Sequence, residues 1–202
     1  MKNLLLSLTL ALCLAASSAM AADAPDLENT LYLDLKDGRV VIKLRPDLAP
    51  KHVARVKELA RKGFYDGLLF HRVLEGFMAQ TGDPTGTGTS GSGQNIQAEF
   101  SDANFGRGTV GAARSSDPNS ADSQFFICFA DSSFLNGQYT VWGEVTSGME
   151  FVDKIKRGVP GSGTVPLPAD QMIKLQVAAD VEKAATPLET APAPAPAPEE
   201  KK

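Results

Sequence analysis

The stretch LYLDLKDGRVVIKL, residues 31–44, constrains the fold more than any other part of the chain. Leu31, Leu33 and Leu35 alternate with more polar neighbours, Asp37-Gly38 interrupts, and Val40, Ile42 and Leu44 resume the alternation. A period of two puts one residue set on one face of a sheet, and an Asp-Gly pair supplies the turn of an antiparallel hairpin. A lone hairpin is barely stable in water, so more strands or a helix must cover its apolar face. The chain provides both. LLFHRV, GFMAQTG, RGTVGAAR, SQFFICFA, YTVWGEV and MIKLQVAADV are short apolar runs bounded by Gly, Asp and Asn. APKHVARVKELARKG carries Val53, Val56, Leu59 and Ala60 at helical spacing, with Pro50 in the first turn and Gly63 as the stop. A second helix is expected at MEFVDKIKRG, with Phe151, Val152 and Ile155 on one face and Gly158 at its end. These patterns predict a mainly β fold, a closed antiparallel β-barrel capped by two helices. No repeat of fixed period appears, which excludes solenoids and propellers.

The two ends read differently from the middle. Met1-Lys2-Asn3 and the apolar run LLLSLTLALCLAA are followed by Ala19-Met20-Ala21, an A-x-A site. That order predicts a signal peptide over 1–21, too short to span a membrane comfortably, with a short extension over 22–27 after cleavage. The bacterial look of the segment makes the periplasm the expected destination, with no membrane attachment once it is removed. Leu12 before Cys13 disfavours lipidation. The segment 184–202 closes on an Ala-Pro repeat and charges, and is expected to be an extended, solvated tail. The folded domain is then 28–183.

Several chemistries find no support. A net charge of −4 and a pI near 5.2 speak against nucleic-acid binding. Gly86-Thr87-Gly88-Thr89-Ser90-Gly91 fits G-x-G-x-x-G, but no helix follows, so a surface loop is the better reading. There is no G-x-S-x-G elbow and no carboxylate pair in an apolar setting. Two histidines, His52 and His71, with no cysteine pair give no metal-ligand spacing, so neither a metal nor another cofactor is expected. His71 reads as a structural histidine, and Cys128, inside FFICF, as a buried small hydrophobe.

One residue resists a bland reading. Arg72 sits in FHRVLEGFMAQTGDP among side chains that prefer burial, and a guanidinium is seldom buried without a partner. It is either a snorkelling arginine of a barrel core or a group poised at an apolar groove.

FHRVLEGFMAQTGDPTGTG resembles the first signature of the cyclophilins, a family of peptidyl-prolyl isomerases that bind cyclosporin, and SQFFICFADSSFLNGQYTVWGEV resembles their second. GFYDGLLFHRV and GTGTSG are similar too, and the resemblance spans about residues 29–181, closest to the exported bacterial branch. It implies an eight-stranded barrel closed by two helices, with the active groove on its outer face. Arg72 takes the place of the catalytic arginine. Phe77, Met78, Phe126 and Leu135 match the pocket for the proline ring, and Gln80 the glutamine near the substrate backbone. Ala113, Arg114 and Gln124 match the rim that meets residues before the proline. Phe134 and Tyr139 stand where many eukaryotic members have tryptophan and histidine. Phe134 lacks an indole N–H donor, so weakened cyclosporin-type binding with retained isomerase activity is expected. Trp142 is expected to lie away from that site. The implied partners are proline-containing, unfolded or partly folded exported polypeptides, handled by a monomer. Two other readings stand beside it: a proline-segment chaperone or adaptor that uses the same groove, and a cell-envelope structural protein whose Ala-Pro tail is the working part. A pure binder has no need of Arg72, which favours the enzyme.

Overall fold

The computed structural model describes residues 26–186. The signal segment, its cleavage site and the Ala-Pro repeat lie outside the described residues. The Asp37-Gly38 hairpin forms as its alternation predicts: β1 (Thr30–Leu35) pairs with β2 (Gly38–Leu44), and Leu31, Leu33, Leu35, Val40, Ile42 and Leu44 are all buried. Six further strands follow: β3 (Arg72–Leu74), β4 (Met78–Thr81), β5 (Thr109–Ala112), β6 (Phe125–Cys128), β7 (Val141–Ser147) and β8 (Lys174–Val177). They join the hairpin in one eight-stranded antiparallel sheet of order β3-β4-β6-β5-β7-β2-β1-β8.

The sheet curls into a half-barrel, and the closed barrel expected from the sequence does not form. The edge strands β3 and β8 share no ladder. The chain at 158–170 fills the gap, touching the β3 side through isolated bonds such as Val73 N to Gly163 O at 2.7 Å and Phe70 N to Asp170 O at 2.8 Å. Its composition explains why no strand forms there. Pro160, Pro166 and Pro168 carry no N–H, and Gly161 and Gly163 adopt positive φ.

Helix α1 (Pro50–Arg61) buries His52, Val53, Val56, Leu59 and Ala60, the stripe read from the sequence plus one histidine. Its first turn has no local side-chain cap. Glu99 supplies the acceptors instead, taking Lys51 N and His52 N at 3.0 Å each and meeting His52 Nδ1 at 2.7 Å. The second helix is a single turn, α2 (Met149–Val152), although Val152 and Ile155 are buried as expected. A third helix, α3 (Ala178–Ala185), replaces the second half of the strand predicted over MIKLQVAADV. Alternation ends at Val177, and AADVEKAA is rich in helix formers, so the chain turns helical and runs past the expected domain end at 183.

The core has two parts. A large cluster inside the curl includes Leu31, Leu33, Ile42, Phe70, Val73, Phe125, Ile127 and Trp142. A smaller one on the outer face holds Met78, Phe105, Phe126, Cys128, Leu135 and Val141. Alternate residues of β6 serve the two clusters, which is why FFIC is apolar without interruption. Burial raises the Cys128 thiol to about 11, so it packs as a small hydrophobe.

Candidate active site

The outer cluster is the floor of a cleft. Antiparallel pairing sets its residues side by side: Arg72 opposite Gln80 and Leu74 opposite Met78 across β3–β4, then Gln80 opposite Phe126 across β4–β6. Phe126 next stands opposite Gly111 of β5. That position has to be glycine. A Cβ there would lie 2.6 Å from both the Phe105 and Phe126 rings, which stack at 5.8 Å. The short 3-10 turn at Ser133–Leu135 brings in Leu135 from beneath and Phe134 from the rim. Phe134 remains 64% exposed and tilts against Phe77 at 5.3 Å. Tyr139 meets Phe126 edge-on at 5.9 Å, and the Arg114 guanidinium lies 4.5 Å above the Tyr139 ring.

The result is a mostly apolar cavity of about 240 Å³. Arg72, Phe77, Met78, Gln80, Ala113, Arg114, Phe126, Phe134, Leu135 and Tyr139 line it, ten of the eleven residues singled out from the sequence. The eleventh, Gln124, lines an adjoining polar depression of about 330 Å³, which shares Gln80, Ala113 and Arg114 with the cavity. Trp142 is buried in the main core and lines neither.

Arg72 is half-buried at the lip. Its Nη1 donates to Gln80 Oε1 at 3.2 Å and its Nε to Ser162 O at 3.3 Å. Nη2 has no hydrogen-bond partner among the described residues, and no carboxylate pairs with this guanidinium. Gln80 Nε2 donates to Gln124 Oε1 at 2.9 Å, and Gln124 Nε2 donates to Gly88 O at 3.1 Å and Ser90 O at 2.7 Å. The relay therefore runs one way, from the guanidinium through two amides to loop carbonyls, and it fixes how both amides face.

That loop, the G-x-G-x-x-G stretch, is ordered by a carboxylate that the sequence reading did not single out. Asp83 is buried and accepts from Thr85 N at 2.7 Å, Thr85 Oγ1 at 2.8 Å, Gly88 N at 2.6 Å and Ser90 N at 3.2 Å. Burial works against its charge, but these donors outweigh burial and hold the carboxyl down to about 2. Asp122 does the same further along, accepting from Ser92 Oγ and from Gly93 N at 2.8 Å. Ser162 and Gly163 were missed as well. A Cβ on Gly163 would come within 3.1 Å of Arg72 Cγ, so this glycine lets the gap-filling segment support the arginine's stem. No periodicity could reveal these residues, because each acts through backbone atoms of a loop. His71 points away from the cleft beneath Gly88. Burial lowers its pKa, which favours the neutral ring, but the satisfied structural histidine expected from the sequence is not found: among the described residues neither buried ring nitrogen has a hydrogen-bond partner.

Fold and cleft together describe a half-barrel of the cyclophilin kind. The family model for cyclophilin type peptidyl-prolyl cis-trans isomerases matches residues 30–177, and the chain belongs to that family. A probable peptidyl-prolyl cis-trans isomerase of Brucella suis is 52% identical over 181 residues, covering 84% of this chain and 92% of that protein. Peptidyl-prolyl cis-trans isomerase B of Bacillus subtilis is 43% identical, covering 64% and 92%. Among solved structures, a cyclophilin of Hirschia baltica superposes with a TM-score of 0.68 at 26% identity, covering 77% of this chain and 76% of that one. A cyclophilin type isomerase of Cryptosporidium parvum, crystallised in the presence of the dipeptide Ala-Pro, gives 0.68 at 27% identity, covering 73% and 98%.

Proposed function

We propose that the cleft catalyses rotation about X–Pro bonds of exported polypeptides during their folding, with Arg72 as the catalytic residue. One observation carries this reading: a guanidinium whose Nη2 has no partner among the described residues stands at the lip of an apolar cavity, held from behind by Gln80.

The chemistry asks for little else. Rotation breaks amide resonance and faces a barrier of about 18–20 kcal/mol, with uncatalysed exchange taking roughly 10–100 s. No bond to the protein forms and no proton moves. In the twisted transition state the proline nitrogen becomes pyramidal and regains its lone pair. A donor aimed at that lone pair stabilises the twisted form more than either planar form, and only such differential stabilisation raises the rate. Arginine suits the task because its charge is permanent and its donors are held in a plane. Phe77, Met78, Phe126 and Leu135 grip the ring on one side of the rotating bond. Gln80, Gln124 and the Ala113–Arg114 rim hold backbone on the other side. Phe134 and Tyr139 wall the pocket. Since Phe134 offers no N–H, cyclosporin-type ligands bind weakly here.

The signal-like segment 1–21 and the A-x-A site support export to the periplasm, with the folded domain acting there as a monomer. Magnetisation-exchange NMR on a short Ala-Pro peptide tests the activity. Acceleration by the protein is expected. Saturable peptide binding without acceleration would leave a proline-segment binder in its place.

A further inference from the structure

The outer face of the sheet carries a second groove, away from the cleft. Two strands, β5 and β7, lie between β6 of the cleft and β2 of this groove. Leu31, Leu33, Val40 and Ile42 face the core, so their alternates, Tyr32 and Val41, stand on the other face. The two lie opposite each other across β1–β2 and are only half-buried. Leu27 and Pro46 add apolar surface, and the result is a mostly apolar cavity of about 650 Å³.

Both ends of the described chain arrive here. Asp26 and Leu27 line the groove. From the other end, Tyr32 OH donates to Glu182 Oε1 of α3 at 3.2 Å. Thr186 then donates its N–H and its hydroxyl to Glu182 O at 3.1 and 3.0 Å, which sets it one helical turn, about 5.4 Å, beyond that glutamate. Next come Pro187-Leu188-Glu189-Thr190. Pro187 cannot continue the helix, and Leu188 is the only large apolar side chain in 187–202. We infer that Pro187-Leu188 folds back onto this groove as a strap, with the Leu188 side chain between Tyr32 and Val41. Leu188 is two residues from Thr186, about 7 Å of extended chain, a span similar to the helical turn back to Glu182. The segment Ala22-Asp23-Ala24-Pro25 also ends at the groove, but it has no apolar side chain larger than proline's to fill it. Charge does not choose between them. Lys43 stands in the groove with Asp26 and Asp47, and Glu199, Glu200, Lys201 and Lys202 cancel one another. Apolar area and reach decide for Leu188. The strap gives the Ala-Pro run that begins at Ala191 a fixed origin beside β1 and β2, with β5 and β7 between it and the floor of the cleft.

The test uses the chain from Ala22 and its Leu188→Ser variant. In the parent, methyl NOEs from Leu188 to the Tyr32 ring and to Val41 are expected, unchanged on dilution and absent between differently labelled copies in a mixed sample. A glutamate-specific protease reads closure separately, each rate being divided by that of a free peptide of residues 186–194 with the same sequence. A strap closed about nine-tenths of the time makes cleavage after Glu189 about tenfold slower in the parent than in Leu188→Ser. Cleavage after Glu199 and Glu200, beyond the Ala-Pro run, is the control within the same chain and is expected to be equal in the two proteins. Equal normalised cleavage after Glu189, or the absence of Leu188 NOEs to Tyr32 and Val41, would overturn the inference. So would NOEs from Leu188 to Phe77 or Phe134, which mean that the tail lies in the cleft, NOEs between copies, which mean a second copy's tail, or groove NOEs from Pro25 in place of Leu188, which make the N-terminal extension the occupant.

Discussion

Phe126 and Asp83 anchor neighbouring halves of one groove and are fixed by different physics. Phe126 lies in a four-residue strand, stacked on Phe105 over Gly111, and its position follows from apolar burial. Asp83 sits just beyond the end of β4 and organises the loop at 85–90 by accepting backbone and hydroxyl donors. Burial is indifferent to pH and tolerant of salt, whereas a carboxylate that gathers N–H groups works only while it is ionised. The half that grips the ring should therefore be robust, and the half that holds the amide relay should respond to acid.

Truncating the floor breaks the comparison most severely. Phe126→Ala removes a buried ring and is expected to cost about 3–5 kcal/mol in chemical denaturation, with loss of peptide binding at all pH values. Gly111→Ala comes next, since the new methyl strikes two rings. A cost of about 1–3 kcal/mol is expected, with weaker ring binding and with the Gln124 side-chain amide signal little changed.

The polar half gives the third prediction. The folded pKa of Asp83, about 2, lies below its ordinary value of 3.8, so its stabilisation is present above that value and is lost as pH falls towards 2. Asp83→Asn is expected to cost about 2 kcal/mol near neutral pH and to flatten the acid limb of the stability curve. Activity should fall in step with loss of the Gln124 contacts, while the floor stays packed. A variant with an unchanged acid limb would show that Asp83 does not set it. The smallest effect belongs to Phe134→Ala. This ring is mostly exposed, so folding stability should move by no more than about 0.5 kcal/mol, and peptide affinity should fall modestly.

The same division governs what the sequence made legible. The hairpin at 31–44 and the stripe of α1 were readable because burial on one face leaves a period of two or of 3.6. The floor residues of β4 and β6 and Arg72 were placed through two signature-like blocks. Asp83, Asp122 and Glu99 escaped notice, because a carboxylate's backbone partners depend on where a loop passes. Glu99 reaches its helix from 47 residues away. Barrel closure was misjudged for a related reason. Counting strands does not reveal that the segment returning to the edge carries three prolines. The last strand was overextended because AADV continues an apolar pattern that suits a helix equally well.

The central claim is that Arg72 acts on the transition state and not on ground-state binding. Measuring Ala-Pro exchange by NMR, together with peptide Kd, for the protein and for Arg72→Ala tests it most directly. The account predicts a fall in exchange rate of about 100-fold or more, comparable to removing one donor from an oxyanion site, with Kd nearly unchanged. Loss of affinity that accounts for the whole loss of rate, or full activity in the variant, would contradict it.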